Sequence, residues 1–216
     1  MKSSLRAAAL VLVAGTVTAH GAILQWDAPF SGNASTANNW NPNQRPTAVD
    51  DLRFDSVLNN NYTVTYDSLV PTVRSHQYLG DNVTIRVTNA AGHTITNSMS
   101  IENGSEILLD ASALHVGGST SIGASSAAGG RLTIDQSLFT GGQLHLGAIG
   151  TADVIVSNAG RLEVPTVTLR GDSSLTLQDS AVGQLSSLAI GNSSNASASS
   201  VLVSEGADMF LLGGIT

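Results

Sequence analysis

Short apolar triplets recur along most of this chain at a nearly constant spacing, and no other feature narrows the possible folds as far. One set reads Thr84-Ile85-Arg86, Ile107-Leu108-Leu109, Leu132-Thr133-Ile134, Val154-Ile155-Val156, Leu175-Thr176-Leu177 and Val201-Leu202-Val203, with midpoints 23, 25, 22, 21 and 26 residues apart. A second set ends in glycine: Ser121-Ile122-Gly123, Leu144-His145-Leu146-Gly147, Thr168-Leu169-Arg170-Gly171, Leu188-Ala189-Ile190-Gly191 and Leu211-Leu212-Gly213. Its glycines are 24, 24, 20 and 22 residues apart. Two independent series keeping one period indicate a repeated structural unit.

A unit of this length with two strand-sized triplets cannot bury its own apolar face. Successive units must stack and share a core, each strand pairing in parallel with its equivalent one coil on, ~4.8 Å away. Alternation then puts the outer residues of a triplet inside and the middle one outside: Leu132 and Ile134 in, Thr133 out; Leu144 and Leu146 in, His145 out; Leu175 and Leu177 in, Thr176 out. Glycine after the triplet permits the positive-φ turn into the next face. A leucine-rich repeat would need a helix and an asparagine ladder, and calcium-binding nonapeptide repeats need Gly-Gly-x-Gly-x-Asp units; neither pattern is present. The fold class is therefore all-β: a single-stranded parallel β-helix, or solenoid, with right-handed coils expected from the crossover preference.

Composition agrees. Hydrophobic residues make up 42% of the 216 residues, which rules out wholesale disorder, while aromatics at 4% and charged residues at 12% are sparse for a compact enzyme. Glycine, serine, threonine, asparagine, alanine and valine take their place, a mixture suited to short strands and tight turns. The chain contains no cysteine, so disulfides and thiolate chemistry are excluded.

Met1 to Arg6 is a short positive segment, Ala7 to Ala14 an apolar core, and Gly15 to Ala19 a small-residue tail. This reads as a signal peptide over residues 1–19, cleaved after Ala19, with Ala22 as the alternative; the apolar run is well short of the ~20 residues a bilayer span requires. Loss of Lys2 and Arg6 leaves seven basic against sixteen acidic residues, a net charge of −9. Such a surface disfavours nucleic acid and anionic membrane as partners. No later segment is long and apolar enough to be a transmembrane helix. Residues 20–75 hold both tryptophans, Pro29, Pro42, Pro46 and Pro71, and the run Asp50-Asp51-Leu52-Arg53-Phe54-Asp55; they read as an N-terminal cap, with β-helix repeats over 76–216.

The stretch running Trp26, Ser31-Gly32-Asn33, Asn39-Trp40-Asn41-Pro42, Pro46-Thr47-Ala48-Val49-Asp50-Asp51, Phe54-Asp55 and Tyr62-Thr63-Val64 resembles the opening of large exported proteins of environmental bacteria. The repeats, as from Gly150 through Val154-Ile155-Val156 to Leu162, resemble autotransporter-associated and PEP-CTERM-type β-strand repeats. The resemblance covers residues 26 to 214 and implies an exported, extracellular or cell-surface protein. Members of such families end in a sorting tail or an outer-membrane barrel, whereas this sequence stops at Gly213-Gly214-Ile215-Thr216 inside a repeat. The expectation is that the repeat region continues in a longer chain, and that an open C-terminal edge would support self-association.

Candidate sites are few. Trp26, Trp40 and Tyr62, with Phe54 and Tyr66, read either as an aromatic platform for a sugar ring or as the core of the cap. Asp110 and Asp135 follow equivalent triplets one coil apart, so calcium could bridge them; a solvated turn pair is the plainer alternative, because the next equivalents are Ser157, Gln178 and Ser204. Asp50, Asp51 and Asp55 beside Arg45 and Arg53 read as a carboxylate site or as a turn fixed by arginine pairs. No nucleophile elbow, phosphate loop or His-x-x-x-His pair occurs, and His115 and His145 lie off the repeat period. No catalytic residue is assigned, and calcium is the one candidate cofactor. The functional expectation is a non-catalytic structural or adhesin-like scaffold touching polysaccharide or cell-surface glycans; the rival is a polysaccharide lyase or hydrolase built on a pectate-lyase-like β-helix.

Overall fold

The computed structural model describes residues 21–28, 30–55, 61–191 and 198–215. The leader reading at Met1–Ala19 lies outside the described residues. The chain begins with β1 (Ile23–Trp26), β2 (Gly32–Asn33), a single 3-10 turn (Ala37–Asn39), β3 (Trp40–Asn41), β4 (Asp51–Phe54), β5 (Asn61–Tyr66) and β6 (Thr72–Leu79). It continues through β7 (Asn82–Val87), β8 (His93–Glu102), β9 (Ser105–Asp110), β10 (Ala113–Ile122), β11 (Gly130–Asp135) and β12 (Leu138–Leu146). The last strands are β13 (Ala152–Ser157), β14 (Arg161–Leu169), β15 (Ser173–Leu177), β16 (Val182–Ile190), β17 (Ser200–Val203) and β18 (Asp208–Leu211).

From β4 on, strands alternate between two sheets. One has ten strands in the order β18-β16-β14-β12-β10-β8-β6-β4-β1-β3; the other has eight, β17-β15-β13-β11-β9-β7-β5-β2. Every neighbouring pair is parallel except β1 with β3. The result is a β-solenoid of about seven coils, as the periodicity predicts.

Five of the six triplet midpoints lie in one column of the eight-stranded sheet, since Leu108, Thr133, Ile155, Thr176 and Leu202 are successive partners. The sixth is displaced by one residue. Leu108 pairs with Thr84, not Ile85, and Ile85 is buried beside Leu109. A slip of one residue in a strand exchanges inside for outside, so the true first triplet is Val83-Thr84-Ile85. The glycine series departs in a similar way. Gly123 and Gly147 turn with φ of +63° and +68°. Leu169 pairs with both Leu146 and Ile190, which puts Arg170, and not Gly171, level with Gly147 and Gly191. Gly213 follows Leu211, a partner of Leu185, and so belongs to a different stretch of the strand.

Strands β6, β8, β10, β12, β14 and β16 of the ten-stranded sheet are long because they fold over a corner. There the backbones of adjacent coils approach so closely that a Cβ on Gly118 would stand 2.1 Å from the Asn97 carbonyl oxygen. Register shifts between Val116 and Ser119 mark the bend. Inward residues on both sides of it, Leu114, Phe139 and Leu162 on one and Leu144, Val167 and Leu188 on the other, are buried. Each such side chain contributes roughly 1.5–3 kcal/mol by leaving water.

The turns after β9, β11, β13 and β15 take two forms. After β9 and β11 one residue, Ala111 or Gln136, enters the left-handed region, and a serine closes the turn. The Ser112 hydroxyl donates to the Asp110 carbonyl (2.6 Å) and accepts from the Val87 amide (2.8 Å), and the Ser112 amide donates to the Ser137 hydroxyl (2.9 Å). After β13 and β15 two residues turn left-handed, Asn158-Ala159 and Asp179-Ser180. The backbone then closes the turn itself, with Gly160 and Ala181 amides donating to Ser157 and Gln178 carbonyls.

The change of texture near Pro71 is not a break in the architecture. β4 pairs with β6, and β5 with β7, in parallel register, so coil stacking already spans the region read as a cap. What covers the first coil is smaller: β3, antiparallel to β1, and the 3-10 turn before it.

Candidate functional site

The aromatic candidates lie inside the solenoid. Trp26, Trp40 and Tyr62 are 2%, 0% and 4% exposed, so no ring face is offered to a sugar and the platform reading is corrected. Trp26 packs edge-on against Trp40 at 4.9 Å and stacks on Tyr62 at 5.9 Å, and Phe54 stacks on Tyr78 at 4.7 Å. Trp40 Nε1 donates to the Ala34 carbonyl and the Tyr62 hydroxyl to Asp81 at 2.7 Å, whereas the buried Trp26 Nε1 has no partner among the described residues. The reason is positional. Inward positions next to an open first coil need large rings to fill and seal it, so alternation sends them inward.

Asp110 and Asp135 are direct partners across β9 and β11, as the repeat predicts. Each carboxylate has its own partner elsewhere. Asp110 is ion-paired with Arg86, and Asp135 accepts from Asn158 Nδ2 at 2.7 Å. Arg86 and Asn158, on neighbouring rungs, thus offset the two like charges. The first acidic run divides likewise. Buried Asp50 accepts from the Ala22 and Thr47 amides and the Thr47 hydroxyl, fixing a turn. Asp51 takes Arg74 and Ser75, and that arginine beside it holds its carboxyl below the usual carboxylate range. Asp55 takes Arg53 at 2.5 Å. Among the described residues no three metal-ligating side chains come together.

A titratable cluster that the sequence reading passed over sits in the core of the early coils. His76 stands between Leu52 and Met99 in an inward column. Its Nε2 is 3.3 Å from the Tyr66 hydroxyl and 3.4 Å from His93 Nε2, and its Nδ1 is 2.8 Å from the Tyr78 hydroxyl. His93 Nδ1 faces the Val70 carbonyl at 3.1 Å. Burial pushes His76 well below the usual imidazole value and His93 down to about 4, so both are neutral at pH 7. Inward alternation through Tyr78 would have placed His76 inside, but the irregularity between Val73 and Ser75 hides that phase.

No family model, curated protein or solved structure matches this chain.

What the chain offers to the outside is its ladders. Thr63, Thr84, Leu108, Thr133, Ile155 and Thr176 run down the middle of the eight-stranded sheet in register. A shallow groove of about 440 Å³ follows this column, flanked by Glu106 and Arg131. Arg131 bridges Glu106 (3.3 Å) and Asp153 (3.4 Å), so charges on three successive rungs beside the groove are paired, with the net charge of one carboxylate left over. On the other sheet the outward rows carry His115 with Thr140, and Ser121, His145 and Thr168 in succession. His115 Nδ1 meets Thr140 Oγ1 at 2.8 Å, and His145 Nε2 meets Gln143 Oε1 at 3.1 Å. The two histidines occupy different columns, as their spacing predicts. Among the described residues no helix is long and apolar enough to cross a membrane.

Proposed function

We propose that this protein is an exported, non-catalytic β-solenoid of the bacterial cell surface, a structural or adhesin-like module that contacts polysaccharide or the glycans of neighbouring cells. The observation that carries this reading is the outward column Thr63, Thr84, Leu108, Thr133, Ile155 and Thr176, which sets one threonine or aliphatic residue on each successive coil along one sheet. Shallow contacts repeated at regular spacing suit weak multivalent attachment, in which affinity comes from number. The carboxylates support it as well, because those candidate for acid–base work are each taken up by an arginine, an amide or a hydroxyl. Large apolar side chains of the last coil, Leu202, Phe210, Leu212 and Ile215, are exposed, and we include self-association through that edge in the proposal.

The test is a comparison of culture medium and envelope, followed by assays on the recovered protein. The native protein should be found outside the cytoplasm with its leader removed and should adhere to cells or immobilised glycans more strongly when clustered. It should release no new ends from polyuronates or other polysaccharides, and Asp110→Ala or Asp135→Ala should leave adhesion unchanged. Turnover that collapses in those variants would make the protein a polysaccharide-active enzyme instead.

A further inference from the structure

One coil breaks the corner column of the ten-stranded sheet. Ile122, Leu146, Leu169 and Ile190 are successive partners, so the residues that follow them, Gly123, Gly147, Arg170 and Gly191, stand level. Three are glycines and one is an arginine. The flanking glycines leave the arginine stem without a side-chain neighbour in its own column; an added Cβ on Gly191 would lie 4.0 Å from Arg170 Cγ. Arg170 sits at the rim of a concavity of about 270 Å³ lined also by Ser121, Ala124, His145, Ala148 and Thr168.

This arginine is chemically unlike most others in the protein. Arg53, Arg74, Arg86, Arg131 and Arg161 each pair with a carboxylate. Among the described residues Arg170 has no acidic partner, and no carboxylate lines its concavity. Ser121, His145 and Thr168 occupy one register row, at steps of ~4.8 Å. His145 Nε2 lies 3.1 Å from Gln143 Oε1, and in the tautomer that donates from Nε2 to this amide oxygen Nδ1 is the acceptor of the ring.

We propose that Ser121, His145, Thr168 and Arg170 form a binding site for the oxyanion-bearing unit of an acidic glycan, a uronate carboxylate or a sulfate ester. The planar guanidinium takes two oxygens of the anion at once. His145 Nδ1 accepts from a ring hydroxyl, the Ser121 and Thr168 hydroxyls complete the polar rim, and Ala124 and Ala148 form a small apolar shelf for ring C–H groups. On a surface of net negative charge, one concavity with an unspent cation is where a polyanion can settle in a defined register. This inference rests on the glycan-contact reading above and names the class of glycan.

The test titrates the full-length protein with a glucuronate-containing tetrasaccharide, its methyl ester, a sulfated tetrasaccharide and a neutral one, following the His145 ring signals and the Kd by NMR. One or both of the charged sugars should bind and shift those signals, with the ester and the neutral sugar much weaker. Arg170→Gln should weaken the charged sugar about tenfold or more, and Arg170→Lys, which keeps charge without the fork, should fall between. Which charged sugar responds identifies the anion. Arg170 is exposed, so an unchanged Tm is the folding control, and Ser121→Ala with Thr168→Val is the second variant. Equal binding by wild type and Arg170→Gln, or binding of both charged sugars no tighter than of the neutral one, would overturn the site while leaving glycan contact standing. No response to any saccharide, together with no adhesion to cells, would overturn both.

Discussion

The early coils and the later ones fill the same kind of interior with different side chains. Through β8 the interior holds Trp26, Trp40, Phe54, Tyr62, Tyr66, Tyr78 and two histidines; from β9 through β16 it is built of leucine, isoleucine and valine, with Phe139 the sole aromatic ring. A coil with a neighbour on both sides buries small aliphatics by sharing contacts upward and downward. A coil near a free end has a neighbour on one side only. Larger rings, with hydrogen-bonding tips that reach carbonyls, a carboxylate or each other, fill that gap. Uniform small residues suit the middle of a solenoid, while its closed end needs bulk and polar anchoring.

If that contrast is right, the largest loss of stability comes from emptying the closed end. Trp40→Ala should cost about 3–5 kcal/mol, whereas Ile134→Val in the later coils should cost about 0.5–1.5 kcal/mol. Thermal unfolding of the two variants checks the ordering, and equal losses would break the comparison.

Acid should separate the two regions next. The folded-state values of His76 and His93 lie below the ordinary imidazole value. The unfolded chain therefore binds protons more readily, so stability is full above about pH 6.5 and declines as pH falls toward the folded value. For His93, whose value falls to about 4, the loss by pH 4 is about 3 kcal/mol. Hydrogen exchange at pH 7 and pH 4 should show the early coils losing protection first, and His93→Leu, matching Leu114 one rung on, should flatten the slope.

A smaller effect distinguishes the turns. Ser137→Ala removes the acceptor of the buried Ser112 amide and should cost about 1–3 kcal/mol. Ala159→Ser, in a turn that the backbone closes alone, should change stability by less than about 0.5 kcal/mol. Asp110→Asn likewise weakens only a half-exposed pair with Arg86 and should cost under about 1 kcal/mol. A rise in Tm with millimolar calcium, abolished in that variant, would return the Asp110–Asp135 pair to the status of a metal site.

Much of this was legible in the residues. The period, the parallel stacking and the inward–outward assignment of Leu132, Thr133 and Ile134 follow from spacing alone, as does the adjacency of Asp110 and Asp135. The reading fails where two phases compete locally. At Thr84-Ile85-Arg86 both phases look plausible, and only the partner strand β9 chooses. Trp26 and Trp40 leave a surface reading open beside the preferred core one, because ring residues among asparagines and prolines carry little alternation, whereas Tyr62 opens the alternating run Tyr62-Thr63-Val64-Thr65-Tyr66. His76 was missed for a related reason: a local irregularity in β6 resets the count.

By itself, then, the sequence determined that the chain coils, how long a coil is and which face of most strands is apolar, because these are consequences of a two-residue side-chain alternation repeated at a fixed interval. Tertiary structure decided which rung each residue occupies and who its partner is. That choice set Arg170 in a column of glycines, gave Asp110 to Arg86, and buried His76 against His93. Partners in a solenoid come from the coil above or below, twenty or so residues away, and a one-residue difference in any intervening turn reassigns them.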